Sequence, residues 1–176
     1  MTENGKYKIR TAVPDDLDQA AQVELNCFPA AEAADRAALK ARLEAFGESF
    51  LVAEADGRII GFINGAVTDE KTIADKMFED ISLHDPDGAF QSIFGLDVIE
   101  EYRHMGVASR LMEAMIETAG KQGRKGLILT CKDRLIGYYE KFGYVNMGVS
   151  KSVHGGGGWG VIVMEVFWGK NTPFTK

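Results

Sequence analysis

The segment Leu96–Ala108 restricts the fold of this chain more than any other part of the sequence. A strand ends there, a short loop follows, and a helix begins with the small residues Gly106 and Ala108. The first amides of a helix have no intrahelical partner, and together with the helix dipole they attract anions. Small side chains allow a phosphate to approach that backbone closely, and Arg103 adds a positive charge.

Taken alone, this pattern is weak evidence for phosphate binding. Gly106 has a simpler interpretation, in which it only permits a tight turn before a helix. A dinucleotide-binding fold is disfavoured, because the three-glycine fingerprint is absent and the strand lies in the middle of the chain. The residues therefore indicate a phosphate-binding loop and leave the purely structural alternative open.

The order of the predicted elements indicates an α/β fold with one mixed sheet and helices on both faces. Apolar patterning predicts seven strands, over Tyr7–Val13, Ser49–Ala55, Arg58–Val67, Phe90–Val98, Gly126–Cys131, Val145–Lys151 and Val161–Trp168. Helical spacing predicts helices from Pro14 to about Cys27 and over Ala30–Phe46, Gly106–Gly120 and Leu135–Phe142. Asp56-Gly57 predicts a two-residue hairpin turn. The polar stretch Thr68–Gly88 predicts an irregular excursion.

Length and composition predict one globular domain over residues 7–168, followed by a C-terminal tail over residues 169–176. Hydrophobic residues make up 45% and charged residues 26% of the chain, a profile typical of globular proteins. No apolar stretch is long enough to span a bilayer, and the first ten residues lack the apolar core of a secretory signal. Cys27 and Cys131 lie far apart, so we expect reduced thiols in a cytoplasmic protein.

The charge pattern narrows the expected partners. The net charge is −6 at pH 7, and the sequence has no basic cluster, which argues against nucleic acid as the main partner. An acidic chain is compatible with a cationic substrate, although acidity alone mostly favours solubility. No set of His, Cys, Asp and Glu has the spacing of metal ligands. We therefore expect no nucleic acid, no membrane and no metal, and leave a homodimer open.

Two motifs resemble those of the GNAT superfamily of N-acetyltransferases. Arg103–Ala108, preceded by the strand residues Leu96–Val98, is similar to the superfamily's acetyl-CoA signature, Gln/Arg-x-x-Gly-x-Gly/Ala. Ile136–Tyr144 is similar to its second recurring element, aromatic-Tyr-x-x-Phe-Gly-Phe/Tyr. The resemblance implies an α/β GNAT acyl-CoA N-acyltransferase fold, with a mixed, splayed seven-stranded sheet flanked by helices. It also implies acetyl-CoA as co-substrate and direct attack by a primary amine.

A narrower resemblance is to the arylalkylamine (serotonin-type) N-acetyltransferases. It is carried by Cys27–Pro29, Phe62–Gly65, Ser82–Gly88 and Cys131–Asp133. One departure matters: two strand histidines of the animal enzymes would fall at Ser92 and Phe94, and neither side chain is a base near neutral pH. The resemblance thus implies a small arylalkylamine-like substrate. Polyamines, protein N-termini or lysines, and amino sugars are alternatives, and so is an acyl-CoA-binding regulator that has lost transfer.

The resemblance also implies the residues of the site. The backbone of Leu96, Asp97 and Val98 is expected to pair with the pantetheine arm, with one amide facing the thioester carbonyl. The pyrophosphate is expected on the loop residues Arg103, His104, Met105, Gly106, Val107, Ala108 and Ser109. Tyr139 is expected to protonate the departing coenzyme A thiolate. The structural alternative for Tyr139 is packing beside Phe142 on a helix face.

The sequence does not select the group that removes the amine proton. The candidates are Glu24, Glu32, Asp97, Glu100, Glu101 and His154, and a water chain to solvent is a further alternative. Cys131 is interpreted as a small buried thiol rather than a nucleophile. Gly155–Gly158 is interpreted as a flexible hairpin loop rather than a phosphate cradle.

Overall fold

The computed structural model of the protein describes residues 7–70, 77, 80–149 and 162–167. His154, Gly155–Gly158 and the predicted tail over 169–176 lie outside these residues. The chain divides into two compact units. The first unit comprises Met1–Gly65 and Phe94–Met115, and the second comprises Ala66–Ile93 and Ile116–Lys176. No helix within the described residues is long and apolar enough to cross a membrane.

Nine strands and four α-helices are delimited in the described part of the chain. The strands are β1 Lys8–Thr11, β2 Phe50–Ala55, β3 Arg58–Asn64, β4 Val67–Thr68, β5 Phe90–Ser92, β6 Gly95–Val98, β7 Gly126–Cys131, β8 Val145–Val149 and β9 Ile162–Phe167. The helices are α1 Leu17–Cys27, α2 Arg36–Phe46, α3 Val107–Lys121 and α4 Ile136–Glu140.

The first unit is built on an antiparallel sheet with strand order β1-β2-β3-β6. Asp56 and Gly57 join β2 to β3 with φ values of 51° and 77°, as a type I′ turn requires. The predicted hairpin is thereby confirmed. Phe50 of β2 and Phe62 of β3 are buried in the core of the unit, and the centroids of their rings lie 5.5 Å apart.

Helices α1 and α2 pack against each other and against this sheet, with α1 on β3 and β6 and α2 on β2. Their buried apolar residues recur at helical spacing, as Ala20 and Val23 do in α1 and Leu39 and Phe46 do in α2. A single 3-10 turn over Pro14–Asp16 leads directly into α1, which confirms the predicted start of that helix.

Helix α2 begins at Arg36, so the predicted start at Ala30 is wrong. Asp35 caps the helix, because its carboxylate accepts a hydrogen bond from the Ala38 amide at 2.8 Å. The Ala34 amide donates at 2.8 Å to Oε2 of Glu24 in α1. This contact holds the preceding alanine-rich residues outside the helix, so a tertiary interaction outweighs their helix propensity.

The second unit is built on a mixed sheet with strand order β4-β5-β7-β9-β8. β5 and β7 are parallel, and the other neighbouring strands are antiparallel. Leu127, Ile128 and Leu129 of the central strand β7 are all buried, as expected for a strand covered on both faces. Helix α4 packs against β8 and β9. The predicted α/β class, with mixed strands and flanking helices, is confirmed.

Two predicted strands are each divided between the two units, and this division turns seven predicted strands into nine. Arg58–Val67 separates into β3 and β4, and Phe90–Val98 separates into β5 and β6. The backbone hydrogen bonds change partner at Ile93, whose amide donates to Ile128, and at Phe94, whose amide donates to Asn64. Both predicted runs are largely apolar, so their composition does not reveal where the pairing changes.

The turn that leads into α1 is held by an ion pair between Arg10 and the buried side chain of Asp16. Arg10 of β1 donates from Nη1 and Nη2 to the two carboxylate oxygens of Asp16, at 2.8 and 2.9 Å, and from Nε to Glu54 at 2.8 Å. Asp16 also accepts a hydrogen bond from the Val13 amide at 2.8 Å. Burial opposes ionisation of Asp16, but these donors outweigh it and hold the pKa of the carboxyl below its ordinary value.

Asp16→Asn is expected to lower the free energy of unfolding by about 1–3 kcal/mol at neutral pH, because a buried, charge-assisted interaction is lost. Since the folded pKa lies below the unfolded value, the stabilisation is present above about pH 4 and is lost as the pH falls through the folded pKa. Denaturant titrations at several pH values measure both effects. Asp18→Asn removes the carboxylate of an exposed pair with Arg36 and should change little. Equal losses in the two variants would contradict this role for Asp16.

Gly61 allows β6 to lie close to β3. A Cβ at Gly61 would stand 2.6 Å from the Asp97 carbonyl oxygen, and the backbone cannot move aside as a flexible side chain does. Gly61→Ala is therefore expected to lower the free energy of unfolding by about 1–3 kcal/mol in denaturant titrations. Gly95→Ala is the matched control in β6, since its nearest atoms would lie at 3.5 Å. If both alanine variants were equally stable, the close approach would not constrain the pairing.

Candidate active site

Strand β6 forms an edge of the sheet in the first unit. β3 pairs with one side of it, and no other strand in the described residues pairs with it in that sheet. Asp97 lies opposite Phe62, and the Ile99 amide donates to the Ile60 carbonyl at 2.9 Å. Backbone groups of alternate residues point to opposite edges of a strand. The Asp97 backbone therefore faces β3, whereas the backbones of Leu96 and Val98 face the open edge.

The chain leaves β6 through a compact loop. One 3-10 turn spans Glu100–Tyr102, and the backbone then takes positive φ values of 64° at His104 and 82° at Gly106. A Cβ built on Gly106 would have no heavy atom within 4 Å. Gly106 is therefore required by its backbone conformation, and the space above it is open to a ligand.

Helix α3 begins directly after this loop. The Arg110 amide donates to the Gly106 carbonyl at 3.0 Å, so the amides of Val107 and Ala108 precede the first helical hydrogen bond. Val107 is buried and anchors the first turn. The amides at the start of α3 and the open space at Gly106 together meet the requirements of an anionic group.

The Arg103 side chain folds back onto β6. Its Nε donates to the Val98 carbonyl at 2.9 Å, and its Nη2 lies 3.6 Å from Sγ of Cys27. The Cys27 thiol also donates to the Val98 carbonyl, at 3.4 Å. Burial raises the pKa of Cys27, and Arg103 partly opposes this rise. Arg103 therefore braces the outer edge of β6 at its last carbonyl.

The remaining predicted loop residues differ in exposure. His104 and Met105 are exposed, whereas Ser109 is half-buried in the first turn of α3. Among the candidate proton acceptors, Glu100 is exposed and Glu101 is an exposed partner of Arg58, at 3.2 Å. These two glutamates lie at the surface, and Glu32 is half-buried.

A buried polar cluster lies behind β6, between the strand and helices α1 and α2. It contains Glu24 of α1, Arg42 of α2, Asn64 of β3 and Asp97 of β6, all of which are buried. Arg42 donates to Oδ1 of Asn64 at 3.2 Å, and its guanidinium carbon lies 5.2 Å from the ring centroid of Phe94. Burial lowers the pKa of Arg42 against the attraction of Glu24 and Asp97.

Asp97 is the most unusual member of this cluster. Burial, with a hydrogen bond and repulsion from Glu24, raises its pKa well above the ordinary value. Sequence reasoning included Glu24 and Asp97 among the proton acceptors but missed Arg42 and Asn64. Arg42 did leave a signal, because it occupies the same helix face as Leu39 and Phe46, where the spacing predicts an apolar residue.

In the second unit, Tyr139 lies on α4 within an aromatic cluster. Its ring is half-buried and makes edge contacts with Tyr138 at 5.2 Å and with Tyr144 at 5.9 Å. Phe142 contacts the ring of Tyr138, at 5.4 Å. Burial, followed by Tyr139, raises the pKa of Tyr144 well above its ordinary value. Tyr144 is therefore a packing residue, and Tyr139 is the more accessible of these two phenols.

Ser92 and Phe94, at the positions of the missing histidines, both have structural contacts. The Ser92 hydroxyl is fully buried and donates to the Ala66 carbonyl at 2.6 Å. In the first unit, the Phe94 ring packs edge-on against Phe46 at 6.0 Å. Neither side chain provides a base, in agreement with the sequence.

Cys131, which the sequence predicts to be a small buried thiol, and His84 both have structural roles in the second unit. Burial, with repulsion from Asp133, raises the pKa of Cys131 to about 11, which disfavours a reactive thiolate. Nδ1 of His84 accepts a hydrogen bond from the Val67 amide at 3.0 Å. Within the described residues, no three His, Cys, Asp or Glu side chains are grouped so that they could hold a metal ion.

Comparisons with known proteins place these features in a family. The model of the Acetyltransferase (GNAT) family matches residues 17–144. "Probable hydrolase YhcX" of Bacillus subtilis (strain 168) is 32% identical over 133 residues, which are 70% of this chain and 26% of that protein. "Serotonin N-acetyltransferase" of Mesocricetus auratus is 31% identical over 94 residues, which are 53% of this chain and 44% of that protein. The chain thus spans less than half the length of either relative.

A solved structure supports the same fold. "GphF GNAT-like decarboxylase in complex with isobutyryl-CoA" superposes with a TM-score of 0.76 at 22% identity, covering 91% of this chain and 98% of that one. At this identity the likeness concerns the fold alone. The family model extends from the first residue of α1 to Tyr144 and so covers well over half of the sequence. The chain therefore belongs to the GNAT acetyltransferase family.

Proposed function

We propose that this protein transfers the acetyl group of acetyl-CoA to a primary amine, and that its substrate is a small arylalkylamine-like molecule. The observation that carries the proposal is the continuity of the open edge of β6 with the anion-seeking loop and the start of α3. Acetyl-CoA supplies the acetyl group as a thioester. The 31% identity with a serotonin N-acetyltransferase over 94 residues supports the substrate class.

The first unit supplies the features that an acyl-CoA requires. The outward backbone groups of Leu96 and Val98 suit an extended arm that adds to β6 like a strand. The Val98 carbonyl already accepts hydrogen bonds from Arg103 and Cys27. The backbone amides on the open edge of β6 are therefore more available to a ligand than this carbonyl. One such amide would stabilise negative charge on the carbonyl oxygen under attack. Downstream, the amides at the start of α3 suit the pyrophosphate.

Tyr139 is proposed to protonate the departing thiolate. A phenol has a pKa near ~10 and a thiol near ~8.5, so complete proton transfer in water is uphill by about 2 kcal/mol. A hydrogen bond to the developing charge nevertheless stabilises the transition state before transfer is complete. The half-buried ring of Tyr139, held by Tyr138 and Tyr144, suits a phenol that is fixed in place and still accessible.

The proposed reaction is tested by following thiol release from acetyl-CoA with a panel of amines. The panel contains a phenylethylamine, an indole ethylamine, a polyamine, an amino sugar and a peptide with a free N-terminus. We expect kcat/KM to be highest for the two arylalkylamines. A higher value for the peptide or the polyamine would overturn the substrate class, and no release with any amine would overturn the transferase itself.

Gly106→Ala is expected to weaken coenzyme A binding at least tenfold, about 1.4 kcal/mol, because the added methyl enters the space proposed for the pyrophosphate. Isothermal titration calorimetry of the folded variant measures this loss. Gly123→Ala is a closely matched control, since Gly123 has a φ of 80° and equally open surroundings. Both variants carry similar backbone strain, so only a selective loss at Gly106 assigns the loop to the ligand.

Tyr139→Phe is expected to lower kcat by roughly ten- to a thousandfold, about 1.4–4 kcal/mol, and to leave acetyl-CoA affinity nearly unchanged. The ring contacts survive the substitution, so a structural role would cost little. Tyr138→Phe, one position earlier on α4, is the control and should retain kcat. Single-turnover measurements exclude a limit from product release. A wild-type kcat in Tyr139→Phe would contradict the proposed acid role and leave Tyr139 as a packing residue.

A further inference from the structure

The Asp97 carboxyl is buried, and no N–H group of the described residues donates to it. Its residue is 1% exposed, and neither carboxylate oxygen accepts a hydrogen bond from a donor among the described residues. Nδ2 of the fully buried Asn64 also lacks a partner there. An ionised carboxylate in such surroundings is costly unless it is paired. The polar cluster therefore needs a proton or an outside group to complete it.

The groups facing Asp97 show what completes it. Glu24 and Cys27 face it from α1, and Arg42 faces it from α2. Two neighbouring carboxyls can form a hydrogen bond only when one of them holds a proton. Burial and Glu24 raise the pKa of Asp97, whereas Arg42 opposes the rise. Asp97 and Glu24 are therefore neighbouring carboxyls that can hold one proton between them, with Arg42 as the nearby cation.

The position of this carboxyl pair is fixed on both sides. Glu24 accepts the Ala34 amide through Oε2 at 2.8 Å, which ties it to the residues connecting α1 and α2. The Asp97 backbone pairs with β3, so its carboxyl lies one residue from Leu96 and one from Val98. Those two residues present their backbones to the open edge of β6. A proton acceptor is thus located beside the strand on which the acyl group is proposed to lie.

We propose that Asp97, paired with Glu24, is the catalytic base that takes the proton from the attacking amine. This inference rests on the proposed transferase function. As the nitrogen–carbon bond forms and the carbon–sulfur bond breaks, the sulfur leaves with the bonding electron pair. The proton lost from nitrogen goes to an Asp97 carboxylate oxygen, directly or through one water. Glu24 then shares that proton and passes it to solvent, which restores the pair.

The other acidic candidates fit this task less well. Glu100 and Glu101 are exposed, and Glu101 is paired with Arg58 at 3.2 Å. The Ser92 hydroxyl is committed to the Ala66 carbonyl. A base works best when its pKa lies near the operating pH, and the surroundings of Asp97 move its pKa in that direction. Among the described acidic candidates, Asp97 therefore combines burial, a fixed position on β6 and a raised pKa.

The kinetic test compares Asp97→Asn, Glu24→Gln and Asp16→Asn with the wild type. Asp97→Asn should lower kcat/KM at least about a hundredfold. Its affinity for coenzyme A by calorimetry should stay within about twofold, because the Asp97 backbone faces β3 and not the ligand edge. Glu24→Gln should shift the pH profile of kcat/KM. Asp16→Asn removes another buried carboxylate of the same unit and should leave the profile unchanged.

Two amines of different basicity separate the limbs of the pH profile. A limb that reflects deprotonation of the substrate moves with the pKa of the amine, whereas a limb that reflects the carboxyl pair does not. The second limb should be present in the wild type, shifted in Glu24→Gln and absent from Asp97→Asn. A merely structural role of Asp97 would lower activity without removing a limb.

A second readout needs neither acetyl-CoA nor turnover. Because the folded pKa of Asp97 lies above its unfolded value, this residue makes the wild type less stable as the pH rises from the unfolded towards the folded pKa. The carboxamide in Asp97→Asn does not titrate. The melting temperature of this variant should therefore rise relative to the wild type between about pH 4 and neutral pH. A constant difference across that range would show that Asp97 is ionised normally, and would overturn the inference.

The outcomes distinguish this inference from the function on which it rests. No thiol release by the wild type with any amine overturns the transferase and the base together. An active wild type with an equally active Asp97→Asn overturns only the base. Parallel loss of activity and coenzyme A affinity in Asp97→Asn also overturns it, since Asp97 would then shape the strand. A selective loss of kcat/KM, with the carboxyl limb missing, supports it.

Discussion

The pairing of β6 with β3 is the interaction on which the candidate site depends. Gly61 permits this pairing, because any side chain there would meet the Asp97 carbonyl oxygen. The pairing commits the Asp97 backbone to β3 and leaves the backbones of Leu96 and Val98 facing the open edge. It also fixes where β6 ends, and hence where the loop turns into α3. One close backbone approach thus determines both the open edge of β6 and where the loop after it begins.

Arg103 shows how the structure changes the meaning of a motif residue. The sequence suggests a cation for the phosphate, but the guanidinium donates to the Val98 carbonyl and reaches Cys27. The guanidinium therefore forms its hydrogen bond within the first unit, to the Val98 carbonyl on the open edge of β6. In this arrangement the backbone amides and the helix dipole are the features of the loop that suit the proposed anion, and Arg103 holds the end of β6.

Local signals in the sequence predicted much of the fold. Asp56-Gly57 forces positive φ values and identifies its hairpin without tertiary information. The breaks within Arg58–Val67 and Phe90–Val98 could not be predicted, because they depend on which distant strand accepts each amide. The start of α2 escaped prediction for a similar reason, since the Glu24 contact with Ala34 is tertiary. In the candidate site, the motif predicted the loop residues, whereas the polar cluster depends on folding to bring Asp97, Glu24 and Arg42 together. Arg42 lies in an apolar helix pattern and Asp97 lies between apolar strand residues, and these positions were sequence traces of the cluster.

The polar cluster is difficult to explain by stability alone. A buried carboxyl pair beside a desolvated arginine costs free energy, and apolar residues of similar volume often stabilise a protein more. Asp97 and Asn64 still leave polar atoms without partners in the described residues, so the cluster does not complete its own hydrogen bonding. Such violations of local folding rules tend to occur where a protein needs a particular chemistry. Burial and a second carboxyl raise the pKa of Asp97 above the ordinary value, which makes it a stronger base than an unperturbed carboxylate. The energetic cost of the Asp97–Glu24 pair is therefore consistent with a role in moving protons.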